Sequence, residues 1–363
     1  MKHLIWATAA LLASTALTQA GGIERSTQSV GILFEEGTYA ELGFAWSDPD
    51  VSGSWSLAPV SSGDMAPSYL VPSLSYRMDL TDRLSFAFIM GDHVGADASY
   101  PAGTGYPVGG SVAELSGMAY TALLRYEFPS MFSIYGGLRI SQLEGQVSLP
   151  WIPPSGYTVA GDAGTELGYV VGAAYERPDI ALRVSLTYNS AIDHTWRATE
   201  TFNAVTTATT FGTTIPQSLN LEFQSGVAED TLVFGSIRWV DWSEFDITPP
   251  VYTAITAGGS LVNYSDDRIT YTLGVGRRFN ENWAGAISVV HEPSVGGQSG
   301  NLGPTDGRNA VGVGLTWENQ QFEISGGVQY SWLGDTFTVP AAGIGTFSGN
   351  TAISAGLRIG IRF

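Results

Sequence analysis

The chain has 363 residues, no cysteine, and 34 acidic against 16 basic side chains, a formal charge of −18. That balance excludes a nucleic-acid binder, which needs a basic face, and the missing cysteines exclude a disulfide framework or a thiolate metal site. Charged residues make up only 14%, glycines number 45 and aromatics reach 12%, a composition that suits a β-protein, including one in lipid.

Residues 1–20, MKHLIWATAALLASTALTQA, read as a signal peptide. Lys2 and His3 are the basic start, Leu4 to Leu17 the apolar run, and Thr18-Gln19-Ala20 the small-residue cleavage site. The run is too short for a membrane helix, and no later segment holds the ~18–20 unbroken apolar residues one needs. Lys2 is the only lysine, so the mature chain would carry 15 arginines against 34 acids, a charge of −19.

Residues 21–38 have neither helical nor strand period. They contain Ile32-Leu33-Phe34 followed directly by Glu35-Glu36-Gly37. Residues 39–363 alternate. Ala40, Leu42, Phe44 and Trp46 open a series of segments of roughly ten to sixteen residues with period two. Short turns fall at 79–82, 129–131, 178–179, 228–230, 280–282 and 319–321. Long polar loops fall near 50–66, 95–112, 150–163, 195–215, 248–266, 293–307 and 339–350. Six short turns and seven long loops separate fourteen strands, the pattern of an antiparallel transmembrane β-barrel.

The alternation separates apolar from polar faces. Met118, Tyr120, Ala122, Leu124 and Tyr126 share one face, and Ala119, Thr121, Arg125 and Glu127 the other. Leu219, Leu221 and Phe223 stand against Asn220, Glu222 and Gln224 in the same way. A soluble sandwich alternates too, but its strands run to about five or six residues, whereas a tilted strand needs about ten to cross a bilayer. Aromatics such as Phe128, Phe132, Trp283 and Trp317 flank the short turns, and Trp46, Trp239 and Trp332 lie toward the long loops. Two belts of this kind fit the two water–lipid boundaries. The last segment puts Leu357, Ile359, Ile361 and Phe363 on one face and must close against the first, because an open edge in lipid leaves unpaired backbone groups.

Catalysis has little support in the residues. Beyond the leader the histidines are His93, His194 and His291. Asn189 to His194 contains the serine, histidine and acid of a hydrolase, Ser190, His194 and Asp193, and reads more simply as a polar rim. No metal-ligand spacing and no phosphate-binding glycine motif occur, so no cofactor and no metal are expected. Arg77, Arg125, Arg139, Arg183 and Arg238 point inward by alternation. Most read as partners in lumen ion pairs. Arg139 and Arg238, nearest mid-strand, are candidates for receiving a ligand carboxylate through a bidentate fork. Trp151, Ile152, Trp196, Phe202 and Phe211 give two outer loops unusual apolar content, expected of a hydrophobic landing groove.

The sequence resembles the FadL/TodX-type outer-membrane transporters of long-chain fatty acids and other hydrophobic compounds. The resemblance runs over essentially the whole mature chain. It is carried by Ala40-Glu41-Leu42-Gly43-Phe44 with Ser47 to Gly53, by Leu80 to Phe86, and by Tyr135-Gly136-Gly137-Leu138-Arg139. Leu182 to Tyr188, Pro216 to Leu219 and Trp239-Val240-Asp241-Trp242-Ser243 continue it. It implies a monomeric barrel in the outer membrane of a Gram-negative bacterium, with residues 21–38 as a hatch in the lumen. Ile32, Leu33 and Phe34 would then line a ligand pocket. Glu35, Glu36 and Gly37, with a third-strand kink at Met90, Gly91 and His93, would serve gating and sideways release. One stretch departs from the family: Phe34-Glu35-Glu36-Gly37 stands where its hatch bears Asn-Pro-Ala, and the arm is shorter. The expected function is passive uptake of hydrophobic small molecules, fatty acids foremost, with outer-membrane lipid as surroundings. A diffusion porin for polar solutes, a barrel lipid hydrolase and a surface adhesin or structural barrel are the alternatives.

Overall fold

The computed structural model of the protein describes residues 22–340 and 342–363. The leader expected over 1–20 lies outside the described residues. Fourteen strands form the wall: β1 (Tyr39–Asp50), β2 (Tyr69–Asp79), β3 (Leu84–Ser99), β4 (Val112–Glu127), β5 (Phe132–Leu149), β6 (Tyr157–Arg177) and β7 (Leu182–Asn189). They continue with β8 (Ser218–Ala228), β9 (Thr231–Val240), β10 (Arg268–Arg278), β11 (Trp283–Glu292), β12 (Arg308–Glu318), β13 (Phe322–Leu333) and β14 (Thr351–Arg362). Each pairs antiparallel with its sequence neighbours, and β14 returns to β1 with Arg362 opposite Tyr39 and Thr351 opposite Asp50. The ring is closed, as the alternation and turn pattern require.

Burial runs opposite to that of a soluble protein. Leu138 is 57% exposed and Leu315 53%, whereas the hydroxyls of Ser141, Thr316 and Ser325 are wholly buried. Apolar side chains facing out and polar ones facing in give a surface that only lipid solvates. Inside, polar groups satisfy one another: Thr316 and Ser325 hydroxyls lie 2.7 Å apart on β12 and β13, and Ser47 and Ser354 3.0 Å apart across β1 and β14.

The outer end is more ordered than the sequence suggests. Residues 195–215, expected as loop, lie in a hairpin of Ile192–Phe202 and Val205–Ile215. The hairpin pairs with the outer end of β6, Tyr157 opposite Phe202 through Asp162 opposite Arg197. The reason is length. β6 has 21 residues, about twice what a bilayer needs, and its protruding edge requires a partner. The threonine-rich return strand has high β-propensity and supplies the rest. Residues 95–99 and 157–163 are likewise strand rather than loop. A small sheet of Gly53–Trp55, Thr336–Thr338 and Gly345–Phe347 and a short helix, Pro250–Ile255, complete the outer cap.

The seam between β2 and β3 is incompletely paired. β2 and β3 pair from Asp79 opposite Ser85 up to Ser73 opposite Gly91, and no further. Above that point β2 keeps only β1 and β3 keeps only β4. The register between β3 and β4 also shifts between Asp92 and Val94, leaving His93 as the extra residue. The seam closes again at the top, where Ser99 N–H donates to the Met65 carbonyl at 2.8 Å.

The exposed face gives a direct test. Leu138→Arg places a cation in hydrocarbon and is expected to cost ~2–4 kcal/mol. Leu57→Arg, in the cap loop, should leave the midpoint within error. Reversible denaturant unfolding from lipid vesicles measures both.

Candidate functional site: an arm and two chambers in the lumen

Residues 22–38 run inside the barrel. Their first part acts as a short strand laid on the free edge of β3. Gly95 N–H donates to the Ile23 carbonyl at 2.8 Å, Arg25 N–H donates to the His93 carbonyl at 3.1 Å, and Glu24 bridges Val94. The arm thus supplies the partner that β2 withholds. Side chains then fix it to the opposite wall. The Glu24 carboxylate accepts from Arg238, with Nε at 2.9 Å. Ser29 Oγ donates to Glu222 at 2.7 Å, and Asn220 Nδ2 donates to the Thr27 carbonyl at 2.9 Å.

The second part is apolar and compact. Gly31–Phe34 forms one 3-10 turn, and Val30, Ile32 and Leu33 are buried against Tyr39, Ala87, Leu123, Tyr135 and Val170. Full burial of such side chains is worth about 1.5–3 kcal/mol each, enough to anchor a short segment. The Phe34 ring lies between two cations, with the guanidinium carbons of Arg125 and Arg183 at 4.5 and 4.4 Å from its centre, a cation–π arrangement. Arg125 also donates to the Leu33 carbonyl at 3.1 Å. Gly37, at φ +67°, turns the arm into β1, a conformation costly for other residues. Its carbonyl accepts from Arg77.

The arm separates two chambers. The upper one, under the outer loops, has an empty volume of about 840 Å³ counting the part open to solvent. Ile23, Leu115, Val147, Trp196, Phe211 and Phe245 are among its walls, and Trp196 and Phe211 stack at 5.7 Å with their planes 7° apart. It is a greasy slot with few polar groups. The lower chamber adjoins the seam between β2 and β3. Arg25, Gln28, Asp92, His93 and Arg139 line it, together with Phe44 and Leu357 from the lipid-facing side of the wall.

The residues singled out from the sequence fall in different places. Trp196 and Phe211 line the upper chamber. Trp151, Ile152 and Phe202 pack in the neighbouring cap cluster with Tyr157 and Tyr252. Ile32 reaches the lower chamber, while Leu33 and Phe34 belong to the packed foot of the arm. Arg139 lines the lower chamber and donates to Thr121 Oγ1 at 2.9 Å and to Gln28. Arg238 is engaged by Glu24, Ser218 and Asn220. Met90, Gly91 and His93 sit where the seam begins. Ser190 and His194 are not brought together: Ser190 Oγ accepts from Tyr169 N–H, and His194 Nε2 lies 3.1 Å from Ser141 Oγ. Ser141 Oγ is also 3.1 Å from His93 Nε2, and His93 Nδ1 donates to the Gly117 carbonyl at 2.9 Å. This hydrogen-bonded chain holds the extra residue of β3 in place.

The sequence reading missed Ile23, Leu115, Val147, Phe245 and Tyr264 as chamber walls. Leu115 and Val147 stand on the outer extensions of β4 and β5, and only the run of inward apolar positions beyond bilayer length marked them. Phe245 and Tyr264 come from a long loop, which carries no periodic signal.

A closed fourteen-stranded barrel with an apolar face to lipid and an arm through its lumen is the architecture of an outer-membrane transport barrel. The model of the outer membrane protein transport protein family (OMPP1/FadL/TodX) matches residues 31–339, and the chain belongs to that family. Solved structures similar to it include a Pseudomonas aeruginosa FadL homologue, at TM-score 0.78 and 13% identity over 98% of each chain. The Pseudomonas putida toluene transporter TodX aligns at TM-score 0.68 and 13% identity over 97% of this chain and 98% of that one. The Ralstonia pickettii toluene transporter TbuX gives 0.65 and 13% over 97% of both. At that identity the likeness is one of fold. No curated protein sequence matches the chain.

The foot of the arm carries a titratable clasp. The Glu35 carboxylate lies 3.3 Å from Arg362, which also pairs with Glu323 at 2.9 Å. Burial, and next the Glu323 carboxylate, push Glu35 up to about 7 against the pull of Arg362 and Arg358. A carboxyl raised in the folded state stabilises it most below the ordinary value, and the contribution is lost as pH rises through the raised one. The arm should therefore loosen as pH rises from about 4.5 to about 7. Amide exchange over residues 30–37 is expected to quicken over that range beyond its intrinsic pH dependence, and Glu35→Gln to abolish the excess.

Proposed function

We propose that the protein takes up hydrophobic small molecules passively across the outer membrane, with long-chain fatty acids as the first candidate. The observation that carries this reading is the apolar upper chamber, parted by the arm from a second chamber at a seam in the wall. Capture needs no pump, because apolar burial yields ~0.8 kcal/mol per methylene. Trp151, Ile152 and Phe202 form the landing surface in the cap, and Trp196 and Phe211 hold the ligand beneath it. Residues 21–38 act as the hatch, with Glu35, Glu36 and Gly37 as its hinge to the wall. Release runs through the seam at Met90, Gly91 and His93 into the bilayer. Aromatic hydrocarbons are the rival ligand class, since two similar structures are toluene transporters.

A porin for polar solutes would need an open aqueous path, and the arm lies across it with its apolar foot packed against the wall. Planar-bilayer recordings of the purified barrel should show little ion conductance, rising when residues 22–36 are deleted. In cells lacking other importers, uptake of labelled dodecanoate should depend on the protein and fall about tenfold or more in the Trp196→Ala, Phe211→Ala double variant, which removes the apolar surface of two stacked rings. Large constitutive ion currents with unchanged dodecanoate uptake in the double variant would refute this reading.

A further inference from the structure

One insertion at the outer rim closes much of the upper chamber. Residues 241–267, between β9 and β10, supply Phe245, Ile247, Pro249, Leu261, Val262 and Tyr264 to its lining. The foot of the insertion is fixed. Asp241 N–H donates to the Gln217 carbonyl at 3.1 Å, and Ser243 Oγ donates to Asp267 at 2.9 Å, so its two ends are clipped together. Trp242, Phe245 and Tyr264 pack ring against ring there, with centres 5.4 to 5.8 Å apart. Asp246–Ile247 pairs with Val262–Asn263. The insertion is thus a stem that carries the short helix Pro250–Ile255 at its tip.

The tip is held differently. Among the described residues, the hydrogen bonds between the insertion and the hairpin 192–215 end on one side chain, Glu200. Its carboxylate is wholly buried and accepts from four donors. Two belong to the wall, Tyr157 OH and Thr209 Oγ1, each at 2.7 Å. Two belong to the tip, Val251 N–H at 3.2 Å and Tyr252 N–H at 3.0 Å. The rest of the contact is apolar. Val251 and Ile255 pack on the cluster of Leu149, Ile152 and Val159, and the Tyr157 and Tyr252 rings meet at 5.2 Å.

This contact can open without stranding a charge. When the tip lifts, the carboxylate keeps Tyr157 and Thr209, and water replaces the two amides. Those amides stand in the first turn of a helix, where no carbonyl of the helix reaches them, so water satisfies them as well. A buried ion that lost every partner would resist such a movement strongly. One that exchanges half of its partners for water acts as a catch. Backbone pairing of the insertion to the hairpin, which would make it part of the wall, is absent among the described residues.

We propose that residues 241–267 form a lid over the upper chamber and that Glu200 is its latch, so that a lipophile enters from outside by displacing the lid tip from the carboxylate. The inference rests on the uptake reading for what passes under the lid, and entry ends in the upper chamber, on the outer side of the arm. The apolar cluster beneath the tip serves both states: Val251 and Ile255 cover it when the lid is shut, and the incoming lipophile covers it as the lid lifts. Glu200 is a positioning residue. It sets how often the chamber is open and touches no cargo.

The chain has no cysteine, so single thiols report on access. Val147→Cys places one in the upper chamber and Thr121→Cys one in the lower. A maleimide added outside intact cells should label Val147→Cys slowly. Adding Glu200→Gln, which removes the charge from the latch, should speed it about tenfold, with the rate at Thr121→Cys unchanged. Thr209 and Val251 donate to the same Glu200 oxygen, and a disulfide between Thr209→Cys and Val251→Cys should lock the tip. Oxidised cells should then stop taking up labelled dodecanoate, and a reductant should restore uptake. Equal labelling of Val147→Cys with and without Glu200→Gln overturns the proposal. So does faster labelling at both thiols, the mark of a generally loosened barrel, and so does undiminished uptake through the oxidised lock. Absence of dodecanoate uptake in the native chain, with the labelling difference intact, removes the uptake reading and leaves the lid.

Discussion

Every backbone amide within the bilayer must find a partner inside the protein, because hydrocarbon offers none. The closed ring meets that demand for thirteen of the fourteen seams by strand pairing along most of the shared length. The seam between β2 and β3 does not, since its pairing stops at Ser73 and Gly91. The arm resolves it. Ile23 and Arg25 supply the missing acceptor and donor to Gly95 and His93, so the N-terminal segment completes the wall's hydrogen bonding where β2 and β3 part.

The lumen uses charge differently at its two levels. At the foot, arginines and carboxylates form a dense network around Arg362, Arg358 and Glu323. Such a network offsets the desolvation each ion would suffer alone. Higher up, cations meet the arm singly, Arg139 at Gln28 and Arg238 at Glu24. The foot of the arm is held by Phe34 wedged between Arg125 and Arg183 and by the Glu35 clasp. A short arm with less surface to bury gains its hold from charge and cation–π contact.

This division fits traffic of an apolar cargo. The upper chamber attracts by burial, which is non-directional and tolerates many shapes. Polar groups concentrate below the arm, where orientation matters and where the wall is incomplete.

The sequence by itself determined the barrel. Period-two alternation over segments long enough for a bilayer, with apolar positions such as Leu124 and Leu138 outward and Thr121 and Arg139 inward, leaves one architecture that satisfies both lipid and backbone. It also located the apolar cap residues and the inward arginines, because residue type and parity are local properties. What it left undecided was contact at a distance. That Arg238 meets Glu24, that residues 195–215 zip onto the overlong β6, and that Ser190 and His194 point to separate partners depend on how remote strands curve and stagger. A kink in β3 at Met90, Gly91 and His93 was expected from the family resemblance, but that β2 and β3 cease to pair there was decided by tertiary structure, since no local signal in β2 tells that its partner will turn away. Alternation fixes which side of the wall a residue faces; closure of the ring fixes whom it meets there.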